Sequence, residues 1–133
     1  MLDTEPTFKD AYEESIASLE PGHHERGAVE TECLELFSAQ YALFKWANAY
    51  GIKPAALLGH SFGEWVAACI AGVFELKDAV KLVSIRGRLM DATAAGSMTV
   101  VMKSPEDIKD LLGPKISIAA HNAPDMVLSL IHI

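Results

Sequence analysis

The sequence has 133 residues, half of them hydrophobic and 22% charged, with nine glycines, six prolines and two cysteines. That composition fits one soluble domain with a single core and excludes disordered, collagen-like and disulfide-rich classes. The net charge of −7 argues against a nucleic-acid partner, which needs clustered lysine and arginine. The acidity is concentrated, with ten acids and two bases in residues 1–40 against eight acids and nine bases in residues 41–133.

Residues 6–19 read as a surface helix. Pro6 suits the first turn, and Phe8, Tyr12, Ile16 and Leu19 share a face. Residues 20–22 end it, and 23–27 form a polar loop. A longer helix is expected over 29–50, where Val29, Cys33, Leu36, Phe37, Tyr41, Phe44 and Ala47 keep helical spacing and Gly51 occupies the C-terminal cap. Residues 52–54 connect to a short apolar run, 55–58, bounded by Pro54 and Gly59 and read as a buried strand. Residues 62–71 and 78–90 read as helices. The second of these has Val80, Leu82 and Val83 on its apolar side and Lys81, Arg86 and Arg88 on the other. From residue 97 the texture turns β-rich: strands over 97–102, 115–120 and 126–130, with a helix start at Ser104-Pro105 between the first two. Cys33 and Cys69 lack metal-ligand spacing and read as free, buried thiols in a reducing compartment. The first ten residues carry no leader pattern, and the apolar stretch 54–74 is broken by His60, Glu64 and glycines. The chain therefore reads as cytoplasmic, with no membrane span and no metal site.

The chemistry-bearing residues are Gly59-His60-Ser61-Phe62-Gly63-Glu64, between the expected strand and helix. In G-x-S-x-G the serine sits on a strained turn, glycines on either side let the backbone close, and the hydroxyl stands exposed at a helix N-terminus. There the Phe62 N–H is a candidate half of an oxyanion hole. The bland alternative is a glycine-rich turn with a capping serine. His60 follows the chain into the same turn but points away from its neighbour, so it reads as packing beside the site and not as the general base. His23, His24 and His121 read as loop or turn residues, and Trp46 and Trp65 as core aromatics.

The hexapeptide, the following 65–74 segment and the run Arg86-Gly87-Arg88-Leu89-Met90 together resemble the acyltransferase domain of modular polyketide synthases. They are similar, more distantly, to malonyl-CoA:acyl carrier protein transacylases. Residues 41–54, Gly96-Ser97-Met98 and residues 116–124 extend the resemblance over nearly the whole chain. It implies an α/β fold: a partial α/β-hydrolase-like large subdomain over 1–95, then the β-α-β-β start of a ferredoxin-like small subdomain over 96–133. It implies that Ser61 accepts an acyl group from acyl-CoA and passes it to the phosphopantetheine thiol of an acyl carrier protein. Arg86 would hold the free carboxylate of a malonyl-type unit, and Asn122 is a candidate substrate contact. No bound cofactor is implied beyond acyl-CoA as substrate, and neighbouring synthase domains are implied as partners.

Departures from the family pattern shape further expectations. The glycine-glutamine-glycine loop of the family is absent, as is its general-base histidine, and Thr31-Glu32-Cys33-Leu34 stands where Thr-Gln-Pro-Ala is usual. The chain is therefore expected to be incomplete at both ends and, isolated, to turn over negligibly. Two other readings compete: a serine esterase or thioesterase, and a truncated, non-catalytic module that binds a carrier protein. Glu64 and the Arg86-Gly87-Arg88 run weigh against the esterase.

Overall fold

The computed structural model describes residues 1–19, 25–94 and 96–132, and the chain divides into two compact units, Met1–Ala92 and Thr93–Ile133. The first unit is helical: α1 over Pro6–Ala17, α2 over Ala28–Ala49, α3 over Gly63–Ile70 and α4 over Leu76–Asp91. These four helices match the expected ones to within two residues at every end. The helix end expected at 20–22 and the first part of the expected loop, with His23 and His24, lie outside the described residues, while 25–27 have no regular secondary structure, as expected of a loop.

The 22-residue α2 is the spine, with α1 and α4 packed along it and α3 against its side. Its buried stripe runs through Glu30, Cys33, Leu34, Phe37, Ser38 and Ala42. Cys33, Leu34 and Phe37 meet Val66 and Cys69 of α3 and Ala79, Val80 and Val83 of α4 in the main core. A second small cluster joins Phe8 and Ala11 of α1 to Ala42, with Trp46 packed beside it. Trp65 lies half-buried against the main core, so both tryptophans serve packing. Both cysteines are free and buried.

Three contacts fix the α2–α4 crossing. Gly87 lets the helices touch, since a Cβ there would stand 2.5 Å from the Cα of Glu30. The Asp91 carboxylate, from the last turn of α4, accepts from the main-chain N–H groups of Val29 and Glu30 at 3.0 Å each and so caps α2. Glu30 itself is buried and accepts from the Ser84 hydroxyl.

The strand expected over 55–58 is not formed. The segment is bent and exposed, and Leu58 is fully accessible. Strand geometry is completed by ladder partners, and among the described residues the only strands pair with one another, in the second unit.

That second unit is β1 (Gly96–Val101), the short helix α5 (Pro105–Ile108), a 3-10 turn over Lys109–Leu111, β2 (Ile116–Ala123) and β3 (Met126–His132). The sheet is antiparallel in the order β1-β3-β2, with Met98 opposite Leu130 and Ile118 opposite Ser129. Ser104 caps α5 as expected, its hydroxyl accepting from the Asp107 N–H at 3.3 Å. Ile108 is buried, as are Val127 and Ser129 on the central strand.

Candidate active site

Ser61 adopts φ +51°, the only left-handed non-glycine residue among those described. An L-residue pays about 1–2 kcal/mol for that conformation, so the surroundings must enforce it. They do so through a run of tight turns: the N–H groups of Gly63, Glu64 and Trp65 donate to the carbonyls of His60, Ser61 and Phe62 at 2.9, 3.1 and 3.1 Å, and α3 follows at once. The two glycines of the motif differ in their work. A Cβ on Gly59 would overlap the Glu64 nitrogen and the Gly63 carbonyl, so only glycine fits. A Cβ on Gly63 would reach no atom closer than Gln40 Oε1 at 3.9 Å, an ordinary contact, so the expectation that both glycines prevent clashes holds only for Gly59.

The turn leaves Ser61 exposed at the mouth of α3. Among the described residues none accepts from the Phe62 N–H, and none hydrogen-bonds the Ser61 hydroxyl. The donor expected of Phe62 is thus available beside the serine. His60 is exposed and shares the groove around Ser61, but makes no hydrogen bond to it.

That groove has a volume of about 680 Å³. Its walls are a second apolar stripe of α2 (Leu36, Leu43, Phe44) and the facing side of α3 (Val66, Ala67, Ile70), and residues 57–63 cross it. Gln40 is the polar side chain that α2 adds there. The sequence signal for this face was present in Leu36 and Phe44, which keep helical spacing with the core stripe but lie off it.

Arg86, read from the sequence on the side of its helix opposite Val80, Leu82 and Val83, is not fully solvated there. It is half-buried, with its guanidinium carbon 5.5 Å from the centroid of the Phe62 ring and its Nη1 donating to Cys33 Sγ at 3.6 Å. Among the described residues it pairs with no carboxylate. Arg86 stands outside the groove lining, whereas Phe62 belongs to it. Ser61, Phe62 and Arg86 are therefore brought together from α3's approach and from α4, with Cys33 supplied by α2. Sequence reasoning missed Cys33, because no spacing rule links residues 53 positions apart. Asn122, expected as a substrate contact, belongs to the second unit and sits exposed at a β-bulge of β2.

Burial pushes the Cys69 thiol up from its ordinary value of 9.0, which disfavours its nucleophilic thiolate form. Among the described residues no group of histidines, cysteines and acids could hold a metal ion, and no helix is long and apolar enough to cross a membrane.

A model of the acyl transferase domain family matches residues 1–130. The chain belongs to this family. It is 42% identical over 89 residues to one component of the phenolphthiocerol/phthiocerol polyketide synthase of Mycobacterium tuberculosis, an alignment covering 67% of this chain and 6% of that protein. The mycoketide-CoA synthase of the same species is 36% identical over 133 residues, covering 90% of this chain and 3% of that one. Among solved structures, the acyltransferase domain from the second module of the salinomycin polyketide synthase superposes with a TM-score of 0.84 at 30% identity. That superposition covers 98% of this chain and 34% of that structure. The chain thus spans a small part of the curated relatives it matches and about a third of that solved domain.

Proposed function

We propose that the chain carries the nucleophile-bearing part of an acyltransferase that moves a malonyl-type acyl group from coenzyme A to the phosphopantetheine thiol of an acyl carrier protein. The observation that carries this reading is the Arg86 guanidinium, half-buried, free of any described carboxylate and held against the residue next to a left-handed Ser61. A buried-edge arginine without an acid is prepared for an incoming carboxylate, which its planar fork engages through two parallel hydrogen bonds.

In this reading the Ser61 oxygen attacks the thioester carbonyl and the Phe62 N–H donates to the developing oxyanion. The carbon–sulfur bond breaks, and the departing coenzyme A thiolate takes up the serine proton. The carrier thiol then attacks the Ser61 ester, becomes the new thioester and returns a proton to the serine. We read the first unit as part of an α/β-hydrolase-like subdomain, and the order β1-β3-β2 of the second supports a ferredoxin-like start. Membership of a family represented in polyketide synthases supports neighbouring synthase domains as partners and a cytoplasmic setting.

Because no described base hydrogen-bonds Ser61, acylation is expected to be slow and confined to a single turnover. Incubation with malonyl-CoA over hours, followed by peptide mass mapping, should mark the Ser61 peptide and leave Ser61→Ala protein unmarked. A mark that survives Ser61→Ala, or no mark on Ser61 at all, removes its assignment as the acyl acceptor.

A further inference from the structure

Carboxylate selection would depend on where one long, flexible side chain holds its guanidinium, and such a group keeps its place only when something fixes it. Two contacts do so for Arg86. The Phe62 ring lies 5.5 Å below the guanidinium carbon, and Cys33 Sγ accepts from Nη1 at 3.6 Å. The ring sets a plane on which the fork can slide and turn. The sulfur supplies the second point that stops it turning, and it is itself immobile: Cys33 is 8% exposed and packed in the core with Phe37 and Val66.

We propose that Cys33 is a positioning residue for Arg86, aiming the guanidinium without neutralising it; the inference rests on the carboxylate-holding role of Arg86 given above. The chemistry of the thiol suits this task. A carboxylate at the same place would take the fork bidentately and compete with the substrate. An alkyl group would leave the fork to rotate. A thiol sulfur is a weak acceptor that occupies one of the five guanidinium N–H groups and leaves the others for an anion.

The test needs no turnover. Arginine modification by phenylglyoxal, read by peptide mass mapping, compares Arg86 with Arg88, which lies exposed two positions further along α4 and serves as the internal reference. Cys33→Val keeps the volume and removes the acceptor, while Cys33→Ser keeps an acceptor. Cys33→Val should accelerate modification of Arg86 by about threefold to tenfold, the usual worth of one hydrogen bond, and leave Arg88 unchanged. Cys33→Ser should retain most of the protection. Equal Arg86 rates in wild type and Cys33→Val overturn the proposal, as does a parallel rise at Arg88, which would signal general loosening of α4. Equilibrium binding of malonyl-CoA against acetyl-CoA then separates the two readings. If Arg86→Ala abolishes the preference for malonyl-CoA, Cys33→Val should reduce it by the same threefold to tenfold or so, and an unchanged preference overturns the positioning role alone. If Arg86→Ala leaves the preference intact, the carboxylate role of Arg86 fails, while the modification rates still decide whether Cys33 holds it.

Discussion

Gly59 and Glu64 approach each other so closely across the Ser61 turn that the hydrogen on the Gly59 Cα occupies space no methyl could share with the Glu64 nitrogen. Gly63, the other glycine of the motif, has room for one. Gly59→Ala should therefore lower stability by about 2 kcal/mol or more, as the backbone on both sides of the turn is displaced. Gly63→Ala, in the first turn of α3, should leave stability unchanged or raise it by up to about 1 kcal/mol. Urea unfolding of the two variants compares them directly, and equal losses would mean that the close approach at Gly59 does not shape the turn.

The φ of +51° at Ser61 gives a second prediction, because it reverses an ordinary ranking. In most positions alanine is more stabilising than glycine by about 0.5–1 kcal/mol, through the entropy of the unfolded chain. At a left-handed position alanine carries the steric cost and glycine does not. Ser61→Gly should thus be about as stable as Ser61→Ala or more so, by up to about 1 kcal/mol. A Ser61→Ala protein clearly more stable than Ser61→Gly would show that the turn relaxes to negative φ once the hydroxyl is gone.

What the sequence made legible follows from the range of each interaction. Helix α2 was readable to one residue at each end because its spacing and the cap at Gly51, which takes φ +81°, are local. The elbow was readable for the same reason, since six consecutive residues contain it. The strand over 55–58 was not, because a strand is defined by neighbours that the described residues do not offer it. The partial burial of Arg86 was not readable because its surroundings are set by the crossing of α4 over α2, which depends on contacts such as Gly87 against Glu30 that no periodicity encodes.

Asp91 illustrates the same limit and is open to measurement. Helix α2 has Gly27 at its N-cap and no side-chain cap of its own, and its first free N–H groups are satisfied from 61 and 62 residues away. Asp91→Ala should cost about 1–2 kcal/mol, the loss expected of a capping carboxylate, and Asp91→Asn about half of that, because its amide keeps one acceptor oxygen. Amide hydrogen exchange should report the loss first at Val29 and Glu30. If exchange there is unchanged in Asp91→Ala, the cap across the two helices is not what holds the start of α2.

Alkaline conditions test the packing between α1, α2 and α3. Burial pushes the Cys69 thiol above its ordinary 9.0, and burial followed by the charges of Glu14 and Cys69 raises Tyr41 above 10.0. Burial, then Glu35, raises Tyr12 in the same direction. For each group the folded chain keeps its proton at a pH where the unfolded chain has lost it. The unfolded state therefore binds fewer protons, and stability falls with rising pH. The contribution is complete below about pH 9, declines first through Cys69 and then, above about pH 10, through the tyrosines. Urea midpoints measured from about pH 8 to 11 should be flat and then drop. Cys69→Ala should remove the earlier part of the decline, and Tyr41→Phe, which keeps the ring stacked on Phe37, should soften the later part. A decline of the same shape in the double variant would assign it to groups other than these two. A midpoint that rises with pH over this range would contradict the direction of the shifts, since only groups protonated more readily in the unfolded chain could produce it.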